Sequence, residues 1–178
     1  MVHILQTHCE KCVGCRLCEM ACSLQHSDGF NRVNSMIKSM TLLGEGDYFL
    51  ATCLQCGEPA CVEACPVEAI TKDGSSGVVT IDKEECTGCG QCADACLFGI
   101  NFSQTEEKAF KCDHCGGNPE CAAFCPTGAL EYAEVEAIDD KSIRERFEKL
   151  QTAFRRLDNH QGDSMAHFVS ALRDLGKS

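Results

Sequence analysis

The sequence predicts an α+β fold: tandem modules of short helices and hairpins, followed by a C-terminal helical hairpin. Three observations predict it. Cysteine supplies 17 of the 178 residues, while aromatics are only 6% and tryptophan is absent. Sixteen of those cysteines fall into four groups of four with closely similar spacing. After about residue 139 the cysteines stop and an apolar stripe of helical period begins.

The composition says what does not hold the fold together. A chain so rich in cysteine and so poor in large apolar side chains is stapled by disulfides or by metal rather than by burial alone. Disulfides need an oxidising compartment and therefore an export signal. The N-terminus, Met1-Val2-His3-Ile4-Leu5-Gln6, has no basic stretch, no long apolar run, no small-residue cleavage site and no twin arginine, and Cys9 and Cys12 follow at once. The expectation is a cytoplasmic protein with reduced thiols available to metal. No run of ~18 apolar residues occurs, so direct membrane insertion is not expected. The net charge of −11 repels phosphate backbones and counts against a nucleic-acid partner.

The groups come in order along the chain. Cys12, Cys15, Cys18 and Cys22 form the first, spaced x2, x2, x3. Cys53, Cys56, Cys61 and Cys65 form the second, spaced x2, x4, x3 and followed by Pro66. Cys86, Cys89, Cys92 and Cys96 repeat the spacing of the first. Cys112, Cys115, Cys121 and Cys125 form the fourth, spaced x2, x5, x3 and followed by Pro126. This is an internal repeat whose unit is a cysteine-rich loop leading into a short helix.

Between the groups lie strand signals. Residues 37–43 and 48–51 flank the turn Gly44-Glu45-Gly46-Asp47 and predict a hairpin inserted between groups one and two. Residues 78–82 follow Gly74-Ser75-Ser76-Gly77 as one arm of a second hairpin, and residues 129–133 form a further strand. The boundary falls near residue 135. Beyond it, Ile143, Phe147, Leu150, Phe154 and Leu157 line one helix face opposite Arg144, Glu145, Arg146, Glu148 and Lys149. Asp158 to Gly162 breaks that helix, and Phe168, Val169, Leu172 and Leu175 mark a second, ended by Gly176. The hairpin over 136–178 covers either the chain's own metal centres or a partner subunit.

The spacing dictates the chemistry. A [4Fe–4S] cluster needs one thiolate for each of its irons. In the run C-x2-C-x2-C-x3-C-P, the first three cysteines serve one cluster and the fourth reaches the other cluster of a pair. The x2 spacing turns backbone N–H groups toward the sulfurs. The x3 spacing is expected to set the fourth cysteine at the start of a helix pointing away. Groups two and three are separated only by residues 66–85, which suits one two-cluster ferredoxin module over 53–96. That pairing puts Cys53, Cys56 and Cys61 with Cys96, and Cys86, Cys89 and Cys92 with Cys65. Groups one and four, within 9–22 and 109–130, then pair around the outside: Cys12, Cys15 and Cys18 with Cys125, and Cys112, Cys115 and Cys121 with Cys22. The alternative pairs group one with two and three with four, across residues 23–52.

Zinc is the competing occupant. Zinc sites use two CxxC pairs set well apart, or mixed cysteine and histidine, and four close quadruplets favour four [4Fe–4S] clusters instead. Cys9 is left over; a register of Cys9, Cys12, Cys15 and Cys18 would strand Cys22. Cys9 is therefore expected to be a buried, inert thiol. His8, His26 and His114 are expected to pack or hydrogen-bond beside the ligands. There is no phosphate-binding loop, nucleotide fingerprint or nucleophile set, so no catalytic site of the chain's own is expected.

Two stretches carry a resemblance: Cys12-Val13-Gly14-Cys15-Arg16-Leu17-Cys18-Glu19-Met20-Ala21-Cys22, and Lys111-Cys112-Asp113-His114-Cys115 through Cys125-Pro126-Thr127-Gly128-Ala129-Leu130. With them, residues ~1–135 resemble the four-cluster ferredoxin-type subunits of molybdenum and tungsten oxidoreductases, such as dimethyl sulfoxide reductase and formate dehydrogenase. They look most like the small subunit of tungsten aldehyde oxidoreductases and of class II benzoyl-CoA reductase. The resemblance implies an anaerobic electron-transfer subunit with a large tungsto- or molybdopterin catalytic partner, and a flavin subunit or ferredoxin as the second redox partner. It implies pairing of groups one with four and two with three. Ser23 and Leu97 stand where proline is expected, which predicts either an opening on one side of those two centres or altered potentials. A free-standing polyferredoxin carrier and a zinc or redox-sensing regulator are the rival readings.

Overall fold

The computed structural model describes residues 2–41, 48–96, 101–103 and 108–135. The expected C-terminal hairpin over 136–178 and the departure at Leu97 lie outside the described residues. The chain opens on β1 (Val2–Thr7) and a 3-10 turn at Cys9–Lys11, then enters α1 (Leu17–His26). The hairpin β2 (Lys38–Thr41) and β3 (Tyr48–Ala51) follows, then α2 (Ala60–Glu63). The hairpin β4 (Ile70–Lys72) and β5 (Val79–Ile81) leads to α3 (Gln91–Ala95). Strands β6 (Asn101–Ser103) and β7 (Lys108–Phe110), helix α4 (Glu120–Ala123) and strand β8 (Leu130–Val135) complete a mixed α+β fold.

The described strands pair two by two, all antiparallel. β2 and β3 form the inserted hairpin expected from the sequence, in register from Lys38 opposite Ala51 to Thr41 opposite Tyr48. β4 and β5 form the second. Its turn is built by Asp73, whose carboxylate accepts from the backbone N–H and hydroxyl of both Ser75 and Ser76 at 2.6–3.0 Å. The Ser75 hydroxyl and the Ser76 donors hold that carboxyl well below the usual range. β8 pairs with β1, from Val2 opposite Val135 to Thr7 opposite Leu130, so the two ends of the described chain close one ladder. Sequence reading finds β8 but not β1, nor the hairpin of β6 and β7. β1 has no clean alternation: Ile4 and Leu5 are both buried.

The four helices among the described residues share one construction. The third cysteine of each group is the second residue of its helix: Cys18 in α1, Cys61 in α2, Cys92 in α3 and Cys121 in α4. α2 and α4 start after Pro59 and Pro119; α1 and α3 start from left-handed residues, Arg16 and Gly90. The fourth cysteine does not begin a helix, which corrects that expectation. Cys22 lies inside α1, and Cys65, Cys96 and Cys125 follow the last turns of α2, α3 and α4. The physical reason is pitch. In α1, Cys18 and Cys22, four residues apart, face the same way, about 6 Å apart along the axis. One helix can therefore give its two sulfurs to two neighbouring centres.

Burial divides into two clusters. Leu5, Met36, Ile37, Leu50, Phe110, Ala129 and Leu130 pack with Cys18, Cys22, Cys112 and Cys121, and Cys9, Cys12, Cys53 and Cys125 rest against them. Ile70, Val79, Ala93 and Ala109 pack with Cys92, and Cys61, Cys65, Cys86 and Cys96 rest against these. α1 lies on α4, and α2 lies on α3. Among the described residues no helix is long and apolar enough to cross a membrane.

Ser23 stands where proline is expected. It is fully buried; its hydroxyl donates to the Gly29 carbonyl and accepts the Asn31 N–H, both at 2.7 Å. Without proline there, α1 runs on to His26 and the hydroxyl clamps the following loop. Glu19, also fully buried, ties α1 to β2 by accepting the Ser39 N–H at 2.7 Å and pairing with Arg32.

Candidate metal centres

One backbone feature recurs at all four groups. The residue before the second cysteine is left-handed each time: Gly14 (φ 66°), Gln55 (φ 51°), Gly88 (φ 71°) and His114 (φ 57°). For Gln55 and His114 this region is uncommon and costly, and such strain persists only where surroundings over-determine it. A left-handed residue beside right-handed ones turns successive N–H groups into a concavity that favours anions. At Gly14 a second demand is added: a Cβ would collide with the Tyr48 ring, which closes directly over the group-one loop.

The sulfurs receive backbone N–H groups. Met36 donates to Cys22 Sγ at 3.2 Å. The N–H groups of Glu19, Val62, Ala93, His114 and Glu120 point to Cys18, Cys61, Cys92, Cys112 and Cys115. Burial dominates most of these thiols all the same. It pushes Cys18 and Cys112 up to about 12 and Cys92 up to about 11. Cys121 rises further, by burial and then by the charge of Cys112, Cys22 and Cys115. Cys125 is the exception: burial raises it, but the N–H groups of Leu130, Thr127 and Ala129 and the Thr127 hydroxyl hold it below the ordinary value. Thiols brought together, buried and surrounded by N–H donors suit a group that takes them as thiolates.

Two cavities sit on these residues. One is lined by Cys12, Cys15 and Cys18 with Cys125; the other by Cys86, Cys89 and Cys92 with Cys65. Each takes three sulfurs from one group and one from another. Charge links the remaining cysteines. Cys121 is acted on by Cys112, Cys22, Cys115 and Cys18. Cys56 is acted on by Cys53 and Cys61; Cys96 rests on the same buried cluster as Cys61. The donor sets fit [4Fe–4S] clusters, which require four thiolates apiece.

Cys9 is half-buried rather than buried, and opens the 3-10 turn whose carbonyl accepts the Cys12 N–H. His8 bonds Glu131 at 3.3 Å. His26 Nε2 stands 3.4 Å from Cys115 Sγ and 3.8 Å from Asp113. His26, Asp113 and Cys115 bring one ligand atom each within 4.8 Å of one another, beside the group-four sulfurs. His114 is buried edge-on to Tyr132. Sequence reading missed Gln55 and Lys111, buried polar residues between the groups. Their positions flanking cysteines were the only available signal.

A 4Fe-4S dicluster domain family matches residues 45–135, and a 4Fe-4S binding domain matches residues 10–27. The chain is 34% identical over 141 residues to the polyferredoxin-like subunit of aliphatic sulfonate oxidoreductase from Pyrococcus furiosus, covering 79% of this chain and 81% of that one. It is 38% identical over 125 residues to subunit beta of NADH-dependent phenylglyoxylate dehydrogenase from Aromatoleum evansii, covering 68% of this chain but only 28% of that larger subunit. Among solved structures, the active site complex BamBC of benzoyl coenzyme A reductase with benzoyl-CoA includes a chain that aligns at a TM-score of 0.44 and 22% identity, over 85% of this chain and 89% of that one.

Proposed function

We propose that this chain, which belongs to the 4Fe-4S dicluster domain family and is an iron–sulfur electron-transfer subunit of an oxidoreductase, holds four [4Fe–4S] clusters in two tandem modules. The ligand sets are Cys12, Cys15, Cys18 and Cys125; Cys112, Cys115, Cys121 and Cys22; Cys53, Cys56, Cys61 and Cys96; and Cys86, Cys89, Cys92 and Cys65. Bound there, the clusters supply one-electron transfer. The observation that carries the reading is the three-plus-one lining of the two cavities.

The sets lie in a row. Cys18 acts on Cys121, Cys53 acts on Cys112, and Cys61 acts on Cys92. Cys15 and Cys89, in the first and last sets, are the exposed cysteines. The row thus has an exposed cysteine at each end and none in its two inner sets, as a relay between two partners requires. We assign one end to a large tungsto- or molybdopterin catalytic subunit and the other to a flavin subunit or ferredoxin, with the complex cytoplasmic. The support is the resemblance of the Cys12–Cys22 and Lys111–Leu130 stretches, and a Pyrococcus relative that is itself an oxidoreductase subunit.

The test is anaerobic purification of the native complex, with its other subunits identified and its tungsten and molybdenum measured. A large subunit carrying one of these metals is the expected result. A fully loaded monomer without a partner would establish a free-standing carrier instead.

A further inference from the structure

Lys111 is 6% exposed, between the last residue of β7 and the first cysteine of group four. Its Nζ donates to Gln55 Oε1 at 3.2 Å, to the Cys112 carbonyl at 2.8 Å, and to the Val79 carbonyl. Three acceptors match the three protons of an ammonium group. All three acceptors are neutral, and among the described residues no carboxylate pairs with it. Gln55 holds the arrangement. It is 1% exposed, donates from Nε2 to the Cys112 carbonyl at 2.7 Å, and takes the Val79 N–H on Oε1 at 2.9 Å.

A buried cation without a counter-charge is strongly unfavourable. The negative charge within its reach is sulfur. Lys111 acts on both Cys56 and Cys61, and it adjoins Cys112 in sequence. It also touches both buried clusters, Val79 in one and Cys112 in the other. We propose that Lys111 is the counter-charge of the two inner centres, those on Cys53, Cys56, Cys61 and Cys96 and on Cys112, Cys115, Cys121 and Cys22, and that it raises their reduction potentials. This rests on the cluster assignment above. A fixed positive charge beside an anionic group favours its more reduced, more negative state. Lys111 is thus a positioning residue: it carries no electron, and it fixes the charge where the two modules meet.

The test is potentiometric EPR of the anaerobically purified holoprotein as wild type, Lys111→Met and Lys111→Arg, with iron and sulfide measured on each. Lys111→Met is expected to make at least one potential more negative by about tenfold in the reduction equilibrium, ~59 mV for one electron. Lys111→Arg is expected to keep potentials near wild type. Loss of clusters from Lys111→Met with retention in Lys111→Arg is likewise the outcome of a charge requirement. A fully loaded Lys111→Met with four wild-type potentials would overturn the inference, and so would equal cluster loss in both variants. Absence of iron from the wild type would overturn the cluster assignment itself.

Discussion

Stripped of iron and sulfide, the chain is expected to lose cooperative far-UV CD melting, and to regain it on anaerobic reconstitution. The elements explain why. α2, α3 and α4 are four or five residues long, far below the ~12–15 at which an isolated helix becomes even marginal in water. The larger buried cluster counts Cys18, Cys22, Cys112 and Cys121 among its members, and the smaller one holds Cys92. Gln55 and His114 sit in left-handed backbone, and Lys111 is buried without a carboxylate partner among the described residues. Each of these costs is offset when thiolates and metal meet, so cluster binding becomes folding free energy. The sign with pH follows. Burial raises the Cys18, Cys92 and Cys112 thiols, so in a folded metal-free site they are protonated at neutral pH. Iron must expel those protons, and cluster uptake falls as the pH falls. A metal-free chain that melts cooperatively with the holoprotein's CD amplitude would contradict this.

The second large effect separates the pairings. Cys22→Ala is expected to remove the centre shared with Cys112, Cys115 and Cys121, lowering iron from about sixteen to about twelve per chain. Cys121→Ala should erase the same EPR signal. Cys125→Ala and Cys12→Ala should together erase a different one. Helix pitch sets this pattern, because α1 carries Cys18 and Cys22 on one face about 6 Å apart, and α1 lies on α4. If Cys22→Ala and Cys56→Ala erased one common signal, groups one and two would be the pair. Electron delivery through the chain should stop in each case where an inner centre is lost.

Much of the fold was legible because cysteine spacing is a local rule. The inserted hairpin, the arm at 79–81, the strand after group four and the short helices all follow from turn residues and repeat spacing. β1 was not legible: its partner lies at the far end of the described chain, and its burial does not alternate. The place of the fourth cysteine relative to each helix was misjudged because x3 spacing alone does not say whether the helix precedes or follows the last ligand. Gln55 and Lys111 were illegible for another reason. Nothing in a C-x-x-C pattern tells which flanking side chain turns inward, and only burial and hydrogen-bond partners single them out.

The most direct measurement is iron, acid-labile sulfide and zinc on anaerobically purified protein. About sixteen iron and sixteen sulfide per chain is the result predicted by four clusters on sixteen thiolates. Near-zero iron with stoichiometric zinc would contradict the account and favour a zinc-binding regulator.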